Sequence, residues 1–451
     1  MTVFLFCQAA AFLFSRWNAN LPAGFGILAS AAYLYAAEAG RSGSKLSLRG
    51  LFLLSFVGGE GLACLKLSFI GEMWCPGMWL SVTLAVLGFS TAYGLLSGES
   101  LREIFFPGMA RDGASSWSVH AAFRERELRD DPRRFRDASG PVLLAACGIA
   151  MVSLLSFLLE ARILGYVPFF VRGVPHAYSA FHVHGLHYFT VSCVLVPPLS
   201  VIYFRTGTGR TFRGDILAGI ALACGLAVPL LCVSRFQLVF AVFLAGAVYL
   251  RMGGKIHPAL MAAGGAALAA LLVILTAARS HSAEYLNGIF EMKNSRLPLF
   301  VSLPYIYIAM NYENLDYLIR ALPAHAFGKR MLMPLWTFTG LKSMFPELVN
   351  APLYFIKEEL TTTTLIYDAW YDFGTAGVLL FAAALGAVSA RITEACDYSD
   401  NPVAFLFYAQ FAAYLAFSFF SAWFSLPVTW FYFGVTFLAG LMAYLGIGRR
   451  R

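Results

Sequence analysis

Residues 215–250 read DILAGIALACGLAVPLLCVSRFQLVFAVFLAGAVYL. Two apolar runs, 215–232 and 234–250, meet at a tight turn, and the only basic residue inside the stretch is Arg235. A run of about 20 apolar residues is the length that crosses roughly 30 Å of hydrocarbon. Without water each span must satisfy its own backbone polar groups, so both runs are expected to be helices.

Working outward, similar runs recur near 2–16, 22–38, 50–70, 77–97, 141–159, 182–204, 259–278, 375–393, 403–422 and 427–447. The fold class expected is therefore all-α: a polytopic membrane protein with about twelve transmembrane helices, residues 1–451 forming one integral membrane domain. The chain is 59% hydrophobic and 13% charged, against roughly 25% charged in soluble domains. No room is left for a separate soluble enzyme domain. MTVFLFCQAAAFLF (1–14) resembles a signal-peptide core but lacks a basic leader, and reads as an uncleaved short first helix.

The net charge of +8 is carried mostly by short loops, as the positive-inside rule requires, so no nucleic-acid partner is expected. Arg41, Lys45, Arg49, Arg205, Arg210, Arg213, Arg251, Lys255, Arg391 and the tail Arg449 to Arg451 fall on one side if every run spans, which puts both termini in the cytoplasm. Residues 98–140 form the largest cytoplasmic loop, in which RERELRDDPRRFRD alternates in sign as a solvated, ion-paired surface does. The eight cysteines show no CxxC pairing, and seven lie in or beside apolar runs as small core residues. No disulfide framework or zinc site is expected.

The opposite side carries one long periplasmic loop, 279–374, with LPLFVSLPYIYIAM (297–310) read as a re-entrant or interfacial helix. Long ordered loops tend to carry function. Arg235, at its turn, is open to two readings: helix-end snorkelling, or a guanidinium fork that clamps phosphate oxygens. Arg279 begins the long loop at the same expected depth, with His281 and Glu284 nearby. GVPHAYSAFHVHGLHYF (173–189) gathers His176, His182, His184 and His187, but contains no acid. Helical spacing puts only His184 and His187 on one face, so no metal or other cofactor is expected. Near the loop's end Asp368 and Asp372 are four apart and share a helical face, among four threonines, Tyr367, Trp370 and Tyr371. Rings, hydroxyls and carboxylates suit a sugar surface, and equally a capped helix start in an aromatic belt. Glu60 and Lys66, six apart in an apolar run, are left to face a cavity or to pair with other helices.

Taken in order, GYVPFF (165–170), GLH (185–187), Arg235, Arg279, YIYIAMNYENLDYLI (305–319) and TTTTLIYDAWYDFGTAGV (361–378) resemble a bacterial oligosaccharide repeat-unit polymerase, the O-antigen polymerase family. The resemblance covers roughly 160–380. It implies a metal-independent glycosyltransferase of the bacterial inner membrane, polymerising undecaprenyl-pyrophosphate-linked repeat units into O-antigen or exopolysaccharide at the periplasmic face. A chain-length regulator is the further protein partner such a polymerase admits. By resemblance, Arg235 and Arg279 stabilise the departing pyrophosphate, and His187, Asp368 or Asp372 orient or deprotonate the acceptor hydroxyl. Asn311 and Asn314, with Arg320, Tyr367 and Tyr371, are the remaining candidate substrate contacts. The arginine–ten-residue–glycine motif of some O-antigen polymerases is absent: eleven residues after Arg279 and Arg320 stand Phe290 and Met331. An O-antigen ligase is the alternative, but no His-Asn pair occurs in the chain. A lipid-linked glycan flippase ranks third, because few charges lie within the runs and no internal repeat is visible.

Overall fold

The computed structural model describes residues 1–106, 138–171, 180–206, 210–255 and 283–448, with the isolated residues 257, 259, 264 and 266. Described helices occupy the expected positions Thr2–Arg16, Asn20–Ser42, Leu48 to Cys64, Pro76–Leu96, Ser139–Leu164, Leu186–Arg205, Phe212–Leu231, Arg235–Arg251, Tyr367–Tyr398, Ala404–Ala416 and Pro427–Gly448. The expected span 259–278 and most of the loop 98–140 lie outside the described residues.

Six of these helices are long and apolar enough to cross a membrane: Pro76–Leu96, Ser139–Leu164, Leu186–Arg205, Phe212–Leu231, Tyr367–Tyr398 and Pro427–Gly446. The chain is thus a helical membrane protein. The count of about twelve is not reached among the described residues, and the reason is partly length. Thr2–Arg16 has 15 residues and Ala404–Ala416 has 13, about 23 and 20 Å at 1.5 Å per residue, short of the hydrocarbon thickness.

Stretch 297–310 is helical as expected, and the helix is longer than the stretch. It opens a 23-residue helix, Leu299–Ala321, which runs through Pro304. One lost backbone bond is outweighed because Tyr305, Ile306, Met310, Tyr312, Leu315 and Leu318 are all buried.

The chain folds as two compact units. The first comprises Met1–Ala122, Ala283–Glu394 and Tyr414–Trp430; the second comprises Phe123–Ser282, Ala395–Ala413 and Phe431–Arg451. In the first, glycine lets helices approach backbone to backbone. A Cβ on Gly24 would stand 2.8 Å from the Gly61 carbonyl, and one on Gly88 would stand 2.9 Å from the Leu379 carbonyl. In the second, Gly225 admits Val196 and the Cys193 carbonyl to a core that includes Ala150, Val196 and Ala221. Cys147 and Cys224 pack against that core, and all eight cysteines are free thiols.

The loop charges of the first unit are less solvated than their sequence positions imply. Arg49 is buried, and it donates to Glu38 at 3.0 Å and to both Glu99 oxygens at 2.9 and 2.7 Å; Arg41 pairs with the same two acids. Desolvation holds the Glu99 carboxyl above the ordinary carboxylate range, with the Arg49 charge opposing it. Two arginines therefore tie the helices Asn20–Ser42 and Leu48–Phe52 to the turn that follows Pro76–Leu96.

Candidate functional site

The Tyr367–Tyr398 helix changes direction at Gly374, whose φ of 64° and ψ of −151° only glycine adopts readily. The turn of helix before this kink carries Asp368 and Asp372 on one face, as their spacing requires, and both are buried. The segment 325–331 is folded against that face. Asp368 accepts the Nε–H of Arg330 at 2.9 Å. Asp372 accepts the backbone N–H groups of Arg330 at 3.1 Å and of Met331 at 2.7 Å. The backbone N–H groups of Ala326 and Phe327 reach the carbonyls of Tyr371 and Asp372.

This geometry separates the two carboxylates by role. Asp372 is spent on backbone donors, an arrangement that fixes a loop and leaves poor access for a hydroxyl proton. Asp368 steers a guanidinium. Among the described residues neither Nη of Arg330 meets a protein acceptor, and the side chain keeps 21% of its exposure. Five residues earlier, exposed His325 sets its Nδ1 3.2 Å from the Tyr371 carbonyl. A carbonyl accepts only, so Nδ1 carries a proton, and in the neutral ring the lone pair is on Nε2. The ring lies edge-on to Trp370 and over Gly374, where a Cβ would stand 3.0 Å from Nε2. A guanidinium with spare donors and an imidazole with a free lone pair therefore stand at one end of one helix. The first can bind an oxyanion and the second can accept a proton.

The other expected contacts of this unit are occupied. Asn311 donates to the carbonyls of Tyr307 and Phe419 and accepts from the Thr362 hydroxyl. Asn314 donates to the carbonyls of Leu360 and Thr362 and accepts from the Ile356 N–H. Both asparagines pin the chain that leads into the threonine run rather than presenting amides to a ligand. Tyr367 exchanges hydrogen bonds with the backbone of Tyr354, and the Tyr371 hydroxyl donates to the Pro352 carbonyl at 3.0 Å. Arg320 pairs with Asp316 at 2.7 Å and with Glu72 at 3.2 Å, and also donates to the Met73 carbonyl. Lys66 pairs with buried Glu313, which also accepts the Trp74 indole N–H at 3.0 Å. Glu60 accepts from Gln8 at 2.6 Å.

The second unit holds Arg235 and His187. Arg235 is half-buried and is the first residue of its helix, after a turn in which Val233 has a φ of 54°. A cation there opposes the helix dipole, at a cost of about 0.3–1 kcal/mol. His187 sets Nδ1 against both oxygens of Glu160, at 3.1 and 3.2 Å. The Glu160 side chain is fully buried and also accepts the Val183 N–H at 3.0 Å. The rings of His184 and His187 each lie 5.0 Å from that of His182. Among the described residues no group of three His, Cys, Asp or Glu is placed to hold a metal ion. His176, Arg279 and His281 lie outside the described residues.

Arg330, His325 and Glu160 are the additions that only the structure supplies. AHAFGKRM (324–331) carries no local motif, and Arg330 finds its partner 38 residues away. No protein-family model, characterised protein or solved structure matches the chain.

Proposed function

We propose that the protein is a membrane glycosyltransferase that polymerises oligosaccharide repeat units carried on undecaprenyl pyrophosphate, working at the periplasmic face of the bacterial inner membrane. The observation that carries this reading is the pairing of Arg330 with Asp368 just before the apolar run 376–390 of a helix long enough to span. A partly exposed guanidinium held beside the start of that run suits a lipid-borne pyrophosphate. Stabilising a departing anion is often the largest catalytic term, and arginine suits it by its fork of donors.

Within this proposal Arg330 is the group of the first unit that binds the pyrophosphate, and Arg235 and Arg279 remain candidates for the same role by resemblance. The proton of the attacking sugar hydroxyl passes to His325 of the same unit. Asp368 holds Arg330, and Asp372 holds the segment that carries it. Asn311, Asn314, Tyr367 and Tyr371 keep the loop folded around the site. The glycosyl carbon–oxygen bond to pyrophosphate breaks as the new glycosidic bond forms, and the pyrophosphate leaves on its lipid.

Deletion of the gene in its host, with surface and lipid-linked glycans resolved on a gel, tests the reading. Loss of the long-chain ladder with single repeat units still exported is the expected result. Full-length polymer left on its lipid carrier would replace polymerase by ligase. Single units trapped on the cytoplasmic leaflet would make the protein a flippase.

A further inference from the structure

Beyond the proposed reaction, one surface of the first unit has a chemistry of its own. After its anchorage on Asp372, the chain runs through two short helices, Met333–Phe338 and Leu341–Met344. Phe327, Leu332, Leu335, Phe338, Met344 and Phe345 are exposed along it, Phe327 and Met344 at 77% and 71%. A loop facing water rarely displays so many large apolar side chains in a row. Residues 326–345 also contain Lys329, Arg330 and Lys342 and not one acid.

Two observations indicate what covers this surface. The Phe327 ring packs edge-on against Phe373, 6.3 Å between centroids, and Phe373 is itself exposed at the entry to a spanning helix. The apolar surface of residues 327–345 therefore continues onto an exposed side chain of a helix long and apolar enough to cross a membrane. Its charge is positive only, the sign that matches anionic headgroups. Apolar residues interleaved with lysine, in helices too short to span, are the pattern of an element lying in the membrane interface.

We infer that residues 327–345 form a strap bedded in the headgroup layer of an anionic bilayer, with Phe338 and Met344 reaching the acyl boundary and Lys342 meeting lipid phosphate. The inference is independent of the proposed enzymatic activity, and it holds equally for a ligase or a flippase.

The test uses the full chain in nanodiscs of phosphatidylethanolamine and phosphatidylglycerol, with photoreactive p-benzoylphenylalanine in place of Phe338 or, separately, of Met344. Both positions are exposed, so neither replacement removes core packing. After illumination, mass spectrometry is expected to find phospholipid adducts at both sites, with phosphatidylglycerol over-represented. Lys342→Gln should reduce that over-representation about fivefold, the equivalent of roughly 1 kcal/mol per basic residue at an anionic surface. Absence of lipid adducts at both positions, or cross-links to a second copy of the chain instead, would overturn the strap. Adducts that merely mirror the bulk lipid ratio would overturn its anionic preference.

Discussion

Asp368 Oδ1 and Arg330 Nε are 2.9 Å apart, although 38 residues separate them in the chain. Asp368 is nearly buried, whereas Arg330 keeps a fifth of its exposure, so the pair has one face in protein and one face open. A carboxylate that takes only Nε leaves the two Nη groups aimed elsewhere, the geometry of a positioned anion binder rather than of a closed structural bridge. Replacing Arg330 should therefore separate charge from shape. Arg330→Lys keeps the charge and loses the fork, and it is expected to lower polymer formation at least tenfold, near the loss of Arg330→Ala. A glycan ladder of wild-type length in Arg330→Lys would reduce Arg330 to a point charge.

Asp372 yields a different expectation. Its oxygens accept the N–H groups of Arg330 and Met331, so Asp372→Asn should loosen the loop by about 1–3 kcal/mol, the cost of a weakened charge-assisted pair. Polymer chemistry should survive at reduced level, with a lowered midpoint of thermal unfolding. If instead activity vanished while the unfolding midpoint stayed fixed, Asp372 would be the base and the anchoring role secondary.

Gly374 is where backbone and site meet. Gly374→Ala demands a residue at φ 64° and ψ −151° and sets a Cβ 3.0 Å from the His325 ring. The backbone term alone costs of order 1–3 kcal/mol. Loss of activity is expected to exceed that of His325→Ala, because both the kink and the ring move. Equal activity of Gly374→Ala and wild type in the ladder assay would remove His325 from the site.

Lys66 and Glu313 form a buried ion pair capped by Trp74. Removing either partner strands a charge, so Lys66→Met or Glu313→Gln should each destabilise by about 3–5 kcal/mol. Replacing both, Lys66→Met with Glu313→Gln, should restore much of the loss. Thermal unfolding in detergent reads the cycle; additive losses in the double variant would show that the two side chains act independently.

Arg235→Ala tests the second unit, and Arg279→Ala tests the other arginine that the sequence singles out. Each is expected to abolish long chains while the protein persists in the membrane. Wild-type chain lengths with both variants would remove Arg235 and Arg279 from the proposed reaction.

The membrane fold was legible because apolar length is a local property. Runs such as 215–232 and 427–447 must become helices whatever surrounds them, since each satisfies its own backbone. The spacing of Asp368 and Asp372 placed them on one face for the same reason. By itself, then, the sequence determined the helical membrane class, most helix positions and the shared face of the two carboxylates.

Partnership across the chain had no such local signature. Lys66 finds Glu313, Glu160 finds His187 and Arg330 finds Asp368 over separations that no periodicity encodes. Tertiary structure alone decided that Asn311 and Asn314 pin backbone and that Asp372 holds a loop. It likewise extended the helical part of 297–310 into the longer helix Leu299–Ala321. The physical reason is that a polar group removed from water must be satisfied by whatever the packing brings within about 3 Å, and only the folded chain chooses that neighbour.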